Sequence, residues 1–376
     1  MSIANVIASA TSRRIFPEGF SAGAAMKPLS QRDFRPALVP LSWLYGIGVG
    51  IRNFFFDAGL FRIRRVKAVV ISVGNISAGG TGKTPIVAML AQQFVERRRN
   101  VAIVSRGYKR VSRGLVEVSD GTTIKASVEE AGDEPLQIAR GVPSVAVVVD
   151  ERRVRGAQYA SEKFGAELIL LDDGFQHRHL HRDCDLIVLD ASQSPFETAL
   201  LPAGNRREQL GSLKRADAVV ITRAASEASV DDIRTKIRRF GDAEIFTCSF
   251  QTNTIRDAKE RTVIGNEIAK QKRILAFCGI GNPKSFRKSL EENRMNVLAV
   301  REFPDHHRYS PVEINALQEE MKRSEAEVLL TTEKDAVRLS NKDIGFDAPL
   351  WFLEMKAKIN EEEKWKAFIS SVIGSV

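Results

Sequence analysis

Cysteine is scarce in this chain, which has three in 376 residues, Cys184, Cys248 and Cys278. Their odd number and wide separation exclude a disulfide framework and give no metal-ligand spacing, which indicates a reducing compartment. The sequence also lacks internal repeats and low-complexity tracts. Hydrophobic residues make up 43% of the chain, enough to bury a sizeable core in two domains or in one large one.

Acidic residues are scarce near the N-terminus, where residues 1–66 carry three of them against nine Lys and Arg. This segment therefore holds six of the chain's nine excess positive charges. A nucleic-acid-binding protein usually spreads its basic residues over a reading face, and we find no recognition motif, so no nucleic-acid partner is expected. Basic residues beside an apolar segment are typical instead of a protein at a membrane surface.

The apolar segment itself is too short to cross a bilayer. Its uncharged run, residues 36–51, has 16 residues, short of the roughly 20 that a spanning helix needs. At helical spacing one face carries Leu44, Ile47, Ile51, Phe54 or Phe55, and Ala58, and another carries Gly46, Gly50, Asn53 and Asp57. We predict a membrane-associated helix within residues 36–66 that lies in or dips into the bilayer. The alternative is a helix packed on the protein core.

Residues 1–35 are expected to be a disordered or over-annotated leader. Ser, Gly and Pro are scattered through them, and Met26 offers an alternative start. Because the segment bears arginines and few acids, an organelle transit peptide is a further alternative.

From residue 67 the chain alternates apolar runs with longer amphipathic stretches. The runs are residues 68–73, 101–105, 145–149, 168–172, 185–190 and 218–222, then 273–280, 297–300, 327–332 and 349–355. Continuous apolar strands with helical connections predict an α/β fold with a doubly wound, mostly parallel sheet. The pattern breaks near residue 255, which predicts a P-loop domain over 67–255 and a smaller C-terminal α/β domain over 256–376.

One Gly-rich stretch has the context of a phosphate-binding loop. The sequence "GNISAGGTGKTP" follows an apolar run and precedes a predicted helix beginning at Thr84, an arrangement that turns backbone N–H groups toward phosphate. The predicted nucleotide-binding residues are Ser77, Ala78, Gly79, Gly80, Thr81, Gly82, Lys83 and Thr84. Lys83 would reach the β- and γ-phosphates and Thr84 would bind Mg²⁺. Ser77 stands where the usual pattern has its first glycine, and a chance Gly-rich turn is the alternative.

Two carboxylates follow the run "LILLD". Asp172 and Asp173 stand where a P-loop protein needs a metal-orienting carboxylate, and Gln176 and His177 come soon after them. We therefore predict that Asp172 and Asp173 hold Mg²⁺ or its waters. The alternative is a polar exit from a strand.

Three further clusters are ambiguous by themselves. They are Asp133-Glu134, Asp305-His306-His307 and Glu333-Lys334-Asp335, and each is more often a solvated loop or a helix cap than a site. The stretch "TEKD" lacks the spacing of a GTPase guanine motif, and Ala78 replaces the lysine of partition-type ATPases. Both of those P-loop classes are disfavoured.

Taken together, the motifs resemble the tetraacyldisaccharide 4'-kinase (lipid A kinase) family. The resemblance covers about residues 38–355 and rests on "PLSWLYG", "GNISAGGTGKTP", "VSRGYKR", "GDEP", "DDGFQHRHL", "LPAGNRRE", "FCGIGNPKSF", "FPDHHRY" and "TEKDAVR". The family's phosphate loop shares the non-glycine first position, which accounts for Ser77.

The resemblance implies transfer of phosphoryl from ATP, with Mg²⁺, to the 4'-hydroxyl of a tetraacyl disaccharide 1-phosphate, giving lipid IVA. It implies Asp133 as the proton acceptor, supported by His306. It places Arg207, Gln176 and His177 on the substrate, with Arg206 as the alternative to Arg207 that matches the motif less well, and the nucleotide near Glu333, Lys334 and Asp335. It also implies a monomer at the cytoplasmic face of the inner membrane, in contact with its lipid surface. A membrane-associated P-loop ATPase switch, with lipid-independent ATPase activity, is the alternative function.

Overall fold

Helices and strands alternate from residue 39 to the end of the described chain. The structure is a computed structural model that describes residues 34–339 and 348–374, so the predicted leader lies outside it except for its last two residues. The helices in these ranges are α1 Val39–Asp57, α2 Lys83–Glu96, α3 Val128–Ala131, α4 Asp133–Gly141, α5 Arg153–Phe164, α6 Glu227–Arg238, α7 Asn266–Gln271, α8 Pro283–Glu292, α9 Pro311–Arg323, α10 Glu333–Leu339 and α11 Glu362–Gly374. The strands are β1 Val69–Gly74, β2 Val101–Ser105, β3 Val116–Asp120, β4 Ala146–Val149, β5 Leu168–Asp172, β6 Cys184–Asp190, β7 Ala218–Thr222, β8 Glu244–Asp257, β9 Val263–Ile264, β10 Ile274–Cys278, β11 Val297–Glu302, β12 Val328–Thr332 and β13 Leu350–Ile359.

The strands of the described residues form one thirteen-stranded sheet. Their order is β11-β10-β12-β13-β8-β7-β6-β1-β5-β2-β4-β3, and β9 pairs with β8. Strand β1 lies inside the sheet and pairs in parallel with β5, where Val69 is opposite Leu168, and with β6. Pairing is antiparallel between β3 and β4, between β8 and β13, and between β8 and β9. The predicted α/β fold with a mostly parallel sheet is confirmed.

The side chains of β1 alternate between two cores, one on each face of the sheet. Ile71 and Val73 belong to a buried cluster that includes Leu90 of α2. Val70 belongs to a second cluster with Ala157 of α5. Because successive strand residues point to opposite faces, both faces of β1 are covered, and all six of its residues are buried, including the polar Ser72.

Strand β8 runs through the predicted domain boundary near residue 255. Its first half pairs in parallel with β7, and its second half pairs antiparallel with β13. The sheet therefore continues from one predicted part to the other. The division into residues 67–255 and 256–376 stays a prediction.

The last helix, α11, packs on the first predicted part. Trp365 is 2% exposed and joins the same buried cluster as Phe94 of α2. Its indole Nε1 donates to Gln93 Oε1 at 3.1 Å, and its ring meets Phe246 of β8 edge-on at 5.0 Å. The end of the described chain thus supports the helix that follows the Gly-rich loop.

Helix α1 packs through one predicted face and exposes the other. On the packed face Gly46 is buried, Asn53 Nδ2 donates to Glu208 Oε2 at 3.0 Å, and Asp57 accepts from Arg178 at 2.6 Å. The exposed face carries Trp43, Leu44, Ile47, Ile51 and Phe54, each between 51% and 70% exposed. Among the helices of the described ranges, none combines the length and apolar character needed to cross a membrane.

Candidate active site

The Gly-rich stretch forms the loop between β1 and α2. Helix α2 begins at Lys83, one residue before the predicted start at Thr84. Gly82 caps it in the left-handed region with φ of 90°, and a Cβ there would lie 2.3 Å from the Phe250 ring. This position therefore requires glycine. Lys83 and Thr84 occupy the first turn of the helix, where free N–H groups and the positive end of the helix dipole favour phosphate.

Ser77 occupies an extended part of the same loop. It forms an antiparallel bridge with Arg206, and the next residue, Ala78, donates its N–H to Asn205 O at 2.6 Å. Ser77 is not among the residues of the described chain with positive φ. The first position of the loop therefore does not need glycine, which agrees with the serine found there.

The two carboxylates predicted to bind metal lie at the end of β5 and have different surroundings. Asp172 is buried and accepts from Ser105 Oγ at 2.8 Å. Burial and the negative charges of Glu134 and Asp173 raise the pKa of Asp172 to about 6. Burial would also raise the pKa of Asp173, but Lys83 and Arg207 outweigh it and hold that pKa below its usual range. The site thus keeps Asp173 ionised, and Asp172 takes up a proton more readily than an ordinary aspartate.

Asp173 connects the phosphate loop to the predicted substrate residue. Lys83 Nζ lies 3.3 Å from Asp173 Oδ1, and Arg207 Nη1 donates to Asp173 Oδ2 at 2.9 Å. Asp173 has φ of 53°, which is uncommon for a residue other than glycine and must be maintained by its surroundings. Two positively charged groups of the predicted site, Lys83 and Arg207, therefore meet at one carboxylate.

Asp133 and His306 are brought together across the two predicted parts. His306 Nδ1 lies 2.8 Å from Asp133 Oδ2, and Arg338 Nε donates to the same oxygen at 2.7 Å. Burial alone would raise the pKa of Asp133, but the His306 hydrogen bond and the Arg338 guanidinium outweigh it and lower that pKa to about 2. The next residue, Glu134, is close enough to Lys83 for their charges to interact. The pair therefore lies near the phosphate loop.

The α10 residues predicted to contact nucleotide are occupied by protein groups. Glu333 accepts from Gln137 Nε2 at 2.9 Å, and Lys334 Nζ donates to Glu134 Oε1 at 2.6 Å. Asp335 is fully buried and accepts from Gly279 N, Tyr309 OH, Thr332 Oγ1 and Arg338 Nη1. Their roles in nucleotide binding stay predictions, and the structure shows that these side chains link α10 to α4 and to neighbouring loops.

Gln176 and His177, predicted to contact substrate, follow β5 near Asp173. Gln176 Nε2 donates to Asn75 O at 2.9 Å, beside the phosphate loop. Burial and the positive charge of Arg153 lower the pKa of His177 to about 3, so its ring is neutral at physiological pH. Both residues stand near the phosphate loop, and their substrate contacts stay predictions.

Arg153 is a candidate that the sequence reasoning missed. It is 2% exposed, and in the described chain its Nε and Nη2 have no hydrogen-bond partner. Its pKa is lowered to about 10 by burial, although the charges of Asp172 and Asp173 oppose this. Two unpaired guanidinium donors near His177 suit an anionic substrate group. The signal was available, because Arg153 follows the strand run 145–149 within "DERRVR".

The residues present fit the Mg²⁺ that the resemblance implies. The described ranges contain no group of three or more His, Cys, Asp or Glu arranged as a metal site. Mg²⁺ does not need one, because it is usually held by one or two carboxylates together with phosphate oxygens and waters. Asp173 Oδ1 is a buried oxygen that has no hydrogen-bond partner and lies 3.3 Å from the charged Lys83 Nζ. Asp172, Asp173 and the Thr84 hydroxyl would hold the ion, an assignment that stays a prediction.

Comparison with protein families matches residues 34–374 to the family described as "LpxK: Tetraacyldisaccharide-1-P 4'-kinase". The chain belongs to this family. The tetraacyldisaccharide 4'-kinase of Aquifex aeolicus is 38% identical over 335 residues, which are 89% of this chain and 98% of the relative. That of Chlorobium phaeovibrioides is 35% identical over 92% of this chain and 100% of its own.

A solved structure has the same fold. It is described as "apo" form LpxK from Aquifex aeolicus in complex with ATP, and it matches with a TM-score of 0.75 and 36% identity. The match covers 90% of this chain and 98% of that one. The predicted family and its class of reaction, phosphoryl transfer to an alcohol, are confirmed. The roles given to individual residues stay predictions.

Proposed function

We propose that this protein transfers the γ-phosphoryl group of ATP to the 4'-hydroxyl of a tetraacyldisaccharide 1-phosphate, a step of lipid A biosynthesis that gives lipid IVA. Family membership over residues 34–374 supports the reaction. The observation in this chain that carries the proposal is the 2.8 Å contact between Asp133 and His306 near the phosphate loop. A switch that only hydrolyses nucleotide needs no such acceptor for the proton of an alcohol, whereas a kinase does.

Positive charge for the phosphates comes from Lys83 and Arg207. Both contact Asp173 in this structure. Lys83 would contact the β- and γ-phosphates of ATP, and Asp173 would be one of the residues that hold the metal. When bound, Mg²⁺ supplies neutralisation of the charge on the transferring phosphoryl group. Arg207 offers a planar fork of N–H donors to a phosphate of the lipid acceptor.

The acceptor's proton goes to the Asp133–His306 pair. Asp133 Oδ2 already accepts hydrogen bonds from His306 and Arg338. This leaves Oδ1 to accept the hydrogen bond of the 4'-hydroxyl. Because Asp133 comes from α4 and His306 from the loop before α9, their contact depends on how the two predicted parts sit. A base completed by both parts would limit futile hydrolysis of ATP by water.

A membrane lipid surface is the partner that α1 fits. Its exposed face carries apolar side chains such as Leu44 and Ile47, and Trp43 is 70% exposed, an amphipathic residue suited to the headgroup layer. Arg62, Arg64 and Arg65 follow the helix and suit anionic lipid heads. An acceptor whose acyl chains stay in the bilayer would then meet the site at the surface, on the cytoplasmic side of the inner membrane.

The decisive experiment incubates the purified protein with γ-labelled ATP and a tetraacyldisaccharide 1-phosphate and separates the lipids by chromatography. Lys83→Ala should lower transfer by several powers of ten, about 3–5 kcal/mol of transition-state stabilisation, because a phosphate contact is lost. Lys288→Ala is the matched control, since its side chain is 75% exposed on α8, and its rate should equal that of the wild type.

Two results would overturn the proposal. Label released as inorganic phosphate at the same rate with and without lipid would point to the switch. A Lys83→Ala variant with near-normal transfer would remove the phosphate-loop assignment.

A further inference from the structure

Arg338 lies between the two members of the catalytic pair. Its side chain on α10 is 3% exposed. The guanidinium donates from Nε to Asp133 Oδ2 at 2.7 Å, and its Nη2 stands 3.5 Å from His306 Nδ1. We propose that Arg338 is a positioning residue that holds Asp133 and His306 in the relative geometry that proton acceptance requires. The inference rests on the proposed function of this site and adds a residue to which no role has been given.

The arginine is itself held rigidly. Its Nη1 donates to Asp335 Oδ1 and to Gly279 O, both at 2.8 Å. Asp335 is anchored in turn by Tyr309 OH at 2.8 Å and by Gly279 N at 3.0 Å. A buried guanidinium with its donors fixed on separate acceptors has one geometry, which lysine cannot reproduce with a single ammonium. Arg338 therefore has one fixed position, and the side chains that it contacts are held relative to that position.

The backbone of His306 is held by Gly279, a residue that also holds Arg338. Its N–H donates to Gly279 O at 3.1 Å, the carbonyl that also accepts from Arg338 Nη1. His306 adopts φ of 60°, an uncommon conformation that the surrounding contacts must maintain. The Arg338 guanidinium thus contacts the Asp133 carboxylate directly. It is linked to the His306 backbone through the Gly279 carbonyl, to which both donate.

The effect on Asp133 is both geometric and electrostatic. Two donors converge on Oδ2, so the carboxylate plane is fixed and Oδ1 is presented to the acceptor. The Arg338 charge also supports the ionised form, in agreement with the lowered pKa of Asp133. A misplacement of about 1 Å at a reacting group can cost on the order of 10²-fold in rate, which sets the size of effect to expect.

Other contacts already hold α10 against α4, so Arg338 is not needed for that alone. Lys334 pairs with Glu134 at 2.6 Å, and Glu333 accepts from Gln137 at 2.9 Å. Both contacts join the same two helices without reaching the Asp133–His306 pair. A role restricted to helix packing would leave the geometry of the base unexplained.

The test replaces Arg338 by lysine, which keeps the charge, and by glutamine, which keeps two N–H donors. We expect Arg338→Lys to lower kcat about 10- to 100-fold, with KM for ATP unchanged within about twofold because it touches no phosphate-loop residue. In an Asp133→Ala background the same change should cost nothing further. Arg256→Lys is the matched control, an arginine paired with Glu354 at 3.1 Å, and it should leave kcat unchanged.

The outcomes separate this inference from the function on which it rests. If the wild type transfers phosphate to lipid and Arg338→Lys keeps wild-type kcat, or if its loss adds fully to that of Asp133→Ala, the inference is wrong and the function stands. If the wild type itself is inactive on lipid, the proposed function fails. Active protein is counted by ATP binding, and failure of both Arg338 variants to fold would also reject the inference, because Arg338 would then serve folding.

Discussion

Asp133 and His306 are 173 positions apart in the chain and 2.8 Å apart in the structure. The family resemblance predicted that they act together, whereas the residue patterns left each in an ambiguous loop. No local pattern encodes a contact between distant segments, and the same reason kept Arg338 from notice. The phosphate loop was different, because its residues are contiguous and its strand and helix are visible in the sequence. The residue patterns therefore predicted the part of the candidate site whose residues are contiguous in sequence.

At this scale we predict strong non-additivity between the two members of the pair. Asp133→Ala should lower kcat by about 10²–10⁴-fold, with little change in KM for ATP. His306→Ala should also lower kcat. Because the residues act as a unit, the kcat of the double variant should be scarcely lower than that of the less active single variant. Steady-state rates with lipid acceptor provide the measurement. His307→Ala, next in sequence but bonded to Glu313, is the control and should change kcat little.

The pH dependence of the pair follows from its charges. The pKa of Asp133 is lowered to about 2, so the stability that its ionised form contributes is present above the unfolded pKa and is lost as pH falls toward 2. A fall in kcat at acidic pH would therefore reflect a proton taken up by the pair as a whole, with an apparent pKa that belongs to neither residue alone. We expect His306→Ala to flatten that part of the profile. Independent, additive losses would instead move the role of base to another group, with Asp173 the first candidate.

Among the elements, the strands that the sequence predicted are those with a run of apolar residues; most are buried throughout, whereas the edge strand β11 is partly exposed. Each of the ten apolar runs corresponds to a strand of the described structure. Strands β3, β8 and β9 were not predicted, because none of them has a continuous apolar run of strand length. The second half of β8 alternates exposed and half-buried residues up to Ile255 and carries "SFQTNTIRD", so it lacks a continuous apolar run. Its strand conformation depends on pairing with β13, so the residues of β8 alone did not predict it.

Helix α1 shows how far periodicity alone can go. Both of its predicted faces are found, with Asn53 on the packed side and Ile47 on the exposed side. Spacing could not tell which face would pack, because an apolar face suits a protein core as well as a membrane. The exposed apolar face is the observation that favours the membrane.

We predict that charge on this face weakens membrane binding. Ile47→Glu combined with Ile51→Glu should shift the protein from pelleted vesicles of anionic phospholipid to the supernatant, since both side chains are more than half exposed and no core is disturbed. Ile268→Glu on α7 is the control, because that isoleucine is 56% exposed in the other predicted part. Unchanged pelleting of the double variant would assign the membrane contact to another surface.

Across the whole molecule, one sheet connects the two predicted parts, and the chain's last helix returns to the first. Trp365 of α11 packs beside Phe94 of α2 and Phe246 of β8. Composition and strand periodicity could not reveal this return, since α11 follows the C-terminal strands directly in sequence. The helix that begins with Lys83 is thus supported by residues nearly 300 positions later.

The last prediction tests that support. Trp365→Ala should lower the free energy of unfolding by about 3–5 kcal/mol, the usual cost of removing a buried tryptophan, because its ring is 2% exposed. Trp43→Ala removes the same side chain from a position that is 70% exposed, and it should change stability by no more than about 0.5 kcal/mol. Denaturant unfolding gives both values.

ATP affinity should also fall in Trp365→Ala, because the lost indole hydrogen bond to Gln93 loosens α2, which carries the phosphate-loop lysine. A variant that loses stability but binds ATP as the wild type does would show that α11 stabilises the fold without supporting the site. One that unfolds like the Trp43 variant would show that α11 is not part of the core.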